Sequence, residues 1–228
     1  MPSLYRLLFE SLPTKCLLCG RWQNLLGVCS YCDPHLPKIN KGCSICLEEV
    51  NSSSICGQCQ NNTPYFDNAN APWVFSNPIN NWVHQLKTRP LLDLAYFFAH
   101  RIAKAHPIQP DKEIAIVPVP LHNKKLKERG FNQAELIAKP LSKILKLKYL
   151  NSLFEKTKET TSQSGLSKED RSKNLSGAFK VKYSPPKKVI LVDDVITTGS
   201  TANELAKTLK YAGCEHVQVL TACKTLKK

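Results

Sequence analysis

The spacing of apolar and polar positions along the chain predicts an α/β protein. Val189–Val192 is an unbroken aliphatic run, which reads as a short strand buried on both faces, the kind found inside a parallel sheet covered by helices. Ile114–Val119 repeats the signal. Helical spacing runs through Pro78–Lys87, Leu91–His106, Gln133–Lys146 and Ala202–Tyr211. In the second of these, Leu94, Phe97, Phe98, Ile102 and Ala105 form a broad apolar face, and in the last Ala202, Leu205, Ala206 and Leu209 do so. Gly213 closes that last helix. Shorter strands are predicted at Trp73–Ser76, Lys146–Leu153, Ala178–Tyr183 and His216–Cys223. Met1–Leu12 predicts a short amphipathic helix, and Pro140 predicts a kink or an early stop at Lys139. Gln60–Pro72, rich in Asn and Pro, marks a boundary, so residues 1–60 and 61–228 read as two domains.

Polar residues gather where the central strand ends. Asp193 and Asp194 follow the aliphatic run, then Thr197-Thr198-Gly199-Ser200-Thr201 leads into the last helix. Open α/β sheets bind ligands at the carboxyl ends of their strands. A small-residue loop before a helix start cradles an anion, because its N–H groups converge and the helix's first turn carries about half a positive charge. The hydroxyls add donors, and Gly199 permits a bend at positive φ. Two carboxylates beside a phosphate would repel it unless sugar hydroxyls or a Mg²⁺ ion lay between them. The loop thus suits a phosphorylated, hydroxyl-bearing sugar, and the absence of a lysine after Gly199 argues against an NTPase loop.

Residues Val189–Thr201 resemble the phosphoribosyl-pyrophosphate signature of type I phosphoribosyltransferases. The resemblance implies a mainly parallel sheet flanked by helices. It also implies that Asp193 and Asp194 meet the ribose hydroxyls and Mg²⁺, while Thr197, Thr198, Gly199, Ser200 and Thr201 hold the 5-phosphate. The loop after the first core strand would hold pyrophosphate, which puts Pro118, Val119, Pro120, Lys125 and Arg129 near it. Glu155–Gly177, polar and rich in Lys, Thr and Ser, resembles the lid that closes on the donor in this superfamily. Arg171 is the candidate for neutralising the leaving group, with Lys173 beside it.

The first sixty residues carry different chemistry. Cys16-x2-Cys19 and Cys29-x2-Cys32 are repeated as Cys43-x2-Cys46 and Cys56-x2-Cys59 after an offset of 27 residues. Each Cys-x2-Cys knuckle turns two thiolates toward one metal, so eight cysteines make two Zn²⁺ sites of a zinc-ribbon-like domain. The repeat favours sequential pairing, Cys16/Cys19/Cys29/Cys32 and Cys43/Cys46/Cys56/Cys59, and leaves a crossed arrangement open. His35, His84, His100 and His106 read as surface or rim residues, and Cys214 and Cys223 as small buried ones. Trp22 and Tyr31 could stack on bases, though such rings more often pack a small domain.

Charge and compartment narrow the reading. Of the net charge of +14, residues 121–185 supply +9, with fifteen basic and six acidic side chains, a field suited to pyrophosphate or to nucleic acid. No secretory signal or membrane-length apolar run is evident, so the reading is a cytoplasmic protein without membrane insertion. Val-Pro-Val-Pro-Leu-His at 117–122 followed by Arg-Gly-Phe-Asn-Gln at 129–133, with knuckles before and the phosphoribosyl signature after, is similar to the ComF/ComFC family of competence-associated proteins. That resemblance implies a role in natural transformation, handling single-stranded DNA beside proteins of the uptake machinery. The alternative is an active transferase moving a pentosyl group to an unidentified acceptor.

Overall fold

The computed structural model describes residues 13–23, 27–39, 41–50, 54–121, 123–156 and 177–226. The expected Met1–Leu12 helix lies outside these residues. So does nearly all of the expected lid, with Arg171 and Lys173.

The cysteine-rich segment contains an antiparallel pair, β1 (Thr14–Lys15) with β2 (Trp22–Gln23), and the short helix α1 (Gly57–Asn61), while a parallel sheet forms the frame. Its strands are β3 (Asn68–Asn70), β4 (Trp73–Val74), β5 (Ile114–Pro118), β6 (Lys148–Tyr149), β9 (Lys188–Ile196) and β10 (His216–Lys224). They lie in the order β3-β10-β9-β5-β6, with β4 also on β10, and every pairing is parallel. Residues 189–192 are all buried, as a strand covered on both faces requires. Alternation then sorts the side chains. Ile190 and Val192 face a core shared with α2 (Ile79–Thr88), α3 (Leu92–Ala105) and α5 (Gln133–Leu145). Val189 and Leu191 face the opposite core, shared with α6 (Ser200–Tyr211).

Four sequence expectations are corrected. The central strand runs through both aspartates to Ile196 instead of ending before them. The Asn-rich boundary contains β3, whose residues 68–70 pair with Gln218–Leu220; three residues are too few for a periodic signal. Residues after Pro120, read as a charged loop, form α4 (Asn123–Arg129). Finally, α5 passes through Pro140 to Leu145. The proline is half-exposed, while Ile137, Ala138, Leu141 and Leu145 keep one buried stripe across it, so packing outweighs the lost backbone bond.

The cysteine-rich segment is docked onto this frame. Cys16, Val28, Cys29, Cys32 and Leu36 share a core with Trp73, Phe97 and Phe98, and Arg101 pairs with Asp33. Gly27 sits at φ +96, and a Cβ there would lie 2.0 Å from the Phe97 ring. The second four-cysteine set reaches the other core through Ile45, Cys46 and Leu47, and the Ala69 amide donates to the Ile45 carbonyl at 2.7 Å. The expected strands near residues 154 and 179 are present as an antiparallel pair, β7 (Phe154–Lys156) with β8 (Phe179–Val181).

Candidate active site and metal clusters

The parallel arrangement brings the carboxyl ends of β5 and β9 to one edge. There an open depression is lined by Val119, Asp193, Thr197–Thr201 and Thr221. Gly199 is the N-cap of α6 at φ +75, the left-handed turn that favours glycine, and the buried Phe66 ring lies beneath it at 3.5 Å from a would-be Cβ. Thr198 Oγ1 and Ser200 Oγ are 2.8 Å apart at the exposed rim. The loop therefore offers two hydroxyls and a helix start to an anion while an aromatic ring fixes its floor.

The two aspartates do different things, because successive residues of a strand leave opposite faces. Asp193 opens into the depression, and its Oδ1 accepts the Asp194 amide at 2.8 Å. Asp194 is 4% exposed, and its Oδ2 lies 2.9 Å from Lys87 Nζ. That contact is an ion pair, not a directed hydrogen bond, since Oδ2 has no partner of hydrogen-bonding geometry. Burial, then the Asp194 charge, push the Asp193 carboxyl well above the ordinary range. Burial also acts on Asp194, but Lys87 together with hydrogen bonds from Asp193 and Gln133 outweighs it and holds that carboxyl below the ordinary range. One site thus contains a poised carboxyl and a committed carboxylate.

Cations lie on the Asp194 side of this pair. Lys125 is half-buried, and burial, then Arg129 and Lys87, depress its pKa while Asp194 works the other way. Lys87, Lys125 and Arg129 therefore form a positive mouth beside Asp194. The Arg-Gly-Phe-Asn-Gln stretch builds it: Arg129 donates to Gln133 Oε1 at 3.1 Å, Gly130 turns at φ +76, and Asn132 caps α5 while donating to the Val119 carbonyl at 3.0 Å. Lys87 stands in the last turn of its helix, where a cation already suits the dipole. Its partner is over a hundred residues away, so no local signal could have found the pair.

Lys224 was also missed. It is 2% exposed and gives Nζ to Glu48 Oε2 at 3.2 Å, to the Thr197 carbonyl at 2.8 Å and to the Thr225 carbonyl at 2.6 Å. A buried ammonium so engaged ties the second cysteine cluster directly to the Thr197–Thr201 loop.

The eight knuckle cysteines gather in sequence order as two clusters, Cys16/Cys19/Cys29/Cys32 and Cys43/Cys46/Cys56/Cys59, with the ligand atoms of each set within 4.8 Å of one another. Sulfurs sit 3.9 Å apart in Cys19–Cys29 and 3.6 Å apart in Cys46–Cys56, close to the roughly 3.8 Å edge of a tetrahedron with Zn–S near 2.3 Å. In both clusters a backbone amide donates to the first cysteine's sulfur, Cys29 to Cys16 and Cys56 to Cys43. Burial raises each of those two thiols, yet backbone N–H donors bring Cys16 down to about 6 and Cys43 to about 7. Burial and the neighbouring sulfurs push Cys32 up to about 12. Four thiolates at such range repel one another, and a dication is what the donor set fits.

Residues 126–228 match the phosphoribosyl transferase domain family. Competence protein F of Haemophilus influenzae is 35% identical over 205 residues, 85% of this chain and 88% of that protein. DNA utilization protein YhgH of Escherichia coli K12 is 32% identical over 95% of this chain and 99% of its own length. Competence protein ComFC of Streptococcus pneumoniae is 28% identical over 91% of this chain and 98% of its own.

Proposed function

The chain belongs to the family of competence protein F, ComFC and DNA utilization protein YhgH and carries a phosphoribosyl transferase domain, and from that premise we propose that it handles incoming single-stranded DNA in the cytoplasm during natural transformation. In this reading its large domain binds 5-phosphoribosyl-1-pyrophosphate with Mg²⁺, and each cysteine cluster holds one Zn²⁺.

One observation carries the donor half of the proposal: Asp193 and the hydroxyl-rich start of α6 line one depression, and the next strand residue, Asp194, holds Lys87, whose charge is felt together with that of Arg129 at Lys125. The 5-phosphate would take the Thr197–Thr201 loop, the ribose hydroxyls would donate to Asp193, and pyrophosphate would face the cationic mouth. Bound Mg²⁺ would screen the pyrophosphate charge from the carboxylates. Calorimetry of the protein with donor and Mg²⁺ tests this. Heat of binding that disappears in Asp193→Asn/Asp194→Asn is expected, and no heat at millimolar donor rejects the reading.

The DNA half rests on the relatives' names and on the basic excess of residues 121–185. Oligonucleotide affinity is expected to fall steeply with salt. Charge reversal at the exposed Lys124 and Lys127 should weaken DNA more than donor, and absence of oligonucleotide binding at low salt removes this half. A second reading, transfer of the pentosyl group to an acceptor, is favoured by the same cationic mouth, which could stabilise departing pyrophosphate. It requires donor-dependent pyrophosphate release. Proteins of the uptake machinery are further partners under this proposal. Variants of the knuckle surface that keep DNA affinity yet lose transformation would identify them.

A further inference from the structure

Two tyrosines from opposite ends of the domain meet on its surface. Tyr211, at the end of α6, is 74% exposed and Tyr65 is 39% exposed. Their rings stand edge to face at 6.0 Å, their hydroxyls are 3.4 Å apart, and the Tyr65 amide is fixed to Asn203 Oδ1 at 2.7 Å. Lys207 Nζ lies over both rings, at 5.7 and 5.8 Å. Neither tyrosine belongs to the apolar cores, so burial does not explain them. Asn203, Lys207 and Tyr211 recur every fourth residue and form one stripe. That stripe starts one turn into the helix that follows the Thr197–Thr201 loop and runs about 12 Å along it. The acids nearby are engaged: Glu204 accepts the Gly177 amide at 2.8 Å, and Asp67 accepts Lys210 at 2.9 Å and the Val217 amide at 2.7 Å.

We propose that Tyr65, Tyr211 and Lys207 form a stacking platform for the bases of single-stranded DNA, adjoining the phosphate loop. Exposed rings held rigid by each other, with an ammonium between them, offer what an unpaired strand needs: a flat face for a base and a cation for its phosphate. The net charge of +14 favours a polyanion over an apolar partner. Tyr65 follows Cys59 by six residues, so the platform sits where the second cysteine cluster joins the sheet. This inference rests on the DNA-handling reading above and adds the contact surface to it.

Fluorescence anisotropy with a labelled oligothymidylate and with an abasic strand of equal length tests it. The Tyr65→Ala/Tyr211→Ala variant is expected to bind oligothymidylate at least about fivefold more weakly and the abasic strand almost as well as wild type. Tyr211→Phe should retain affinity, since the face is kept. Lys207→Gln should flatten the salt dependence by about 0.7 in log–log slope. Tyrosine variants that match wild type on both strands, or that lose equally on both while melting normally, overturn the platform and leave the DNA reading standing. Should the double variant unfold, an unchanged salt slope in Lys207→Gln overturns it instead. Wild-type protein binding neither strand rejects the DNA reading itself.

Discussion

Asp193 and Asp194 are neighbours with opposite titration, and each yields a stability prediction. The Asp193 pKa is raised by burial and by the adjacent charge. Its contribution to folding is therefore present below the unfolded pKa and is lost as pH rises through the raised value. Asp193→Asn should melt higher than wild type near neutral pH, with the gain growing across that window, while donor binding is lost. For Asp194 the sign reverses: Lys87 overcomes burial and lowers its pKa, so its contribution is present at neutral pH and is lost as pH falls through the depressed value. Lys87→Met should cost about 3–5 kcal/mol at neutral pH by leaving a buried charge unpaired. Denaturant titrations should show that deficit closing in acid. Gly27→Ala is expected to destabilise more than a usual surface change, because the added Cβ meets Phe97 at 2.0 Å in a left-handed turn. The first knuckle would be pushed off α3, and thermal melting reads the loss.

At the scale of elements, the start of α6 depends on two supports from outside its own sequence. Phe66 lies under Gly199, and Lys224 holds the Thr197 carbonyl with Glu48 at its other side. Lys224→Met should therefore weaken donor binding about tenfold or more by loosening the loop, and lower stability because the Lys224–Glu48 ion pair is lost. Adding Glu48→Gln should restore part of the stability and little of the donor affinity. A double-mutant cycle read by both calorimetry and denaturation separates the two effects. The elements themselves were largely legible. The strands at 114 and 189 and the helices at 79, 92, 133 and 200 all announce themselves by buried runs or helical spacing. Short β3 did not, because its place is set by hydrogen bonds to β10, not by any periodicity of its own. Helix α4 was hidden because its seven residues bury none of their side chains.

For the whole molecule, the cysteine clusters and the two cores are one packing problem. Cys16, Cys29 and Cys32 contact the same apolar cluster as Phe97 and Trp73, and Cys46 and Leu47 lie against the other. Removal of metal should thus do more than unravel sixty residues. Chelation is expected to lower the melting temperature of the entire chain in one transition, with two Zn²⁺ per chain by native mass spectrometry and weaker retention in acid, where protons compete for the thiols. Separate transitions for residues 1–60 and the remainder would overturn this coupling. Among the described residues no helix is long and apolar enough to cross a membrane.

The sequence alone determined the chemistry in hand: eight cysteines in a repeated register, a carboxylate pair followed by a hydroxyl loop, and buried runs that require a parallel sheet. Those features are local, written in spacings of two to a dozen residues, and local spacing is what a linear chain displays. Tertiary structure alone decided that Lys87 neutralises Asp194, that Lys224 joins the second cysteine cluster to the Thr197–Thr201 loop, and that Tyr65 finds Tyr211. The Lys87–Asp194, Glu48–Lys224 and Tyr65–Tyr211 contacts each close a span of more than one hundred residues. Their partners are selected by which ends the parallel strands align and by which charges burial leaves unpaired, and neither condition exists before the chain is folded.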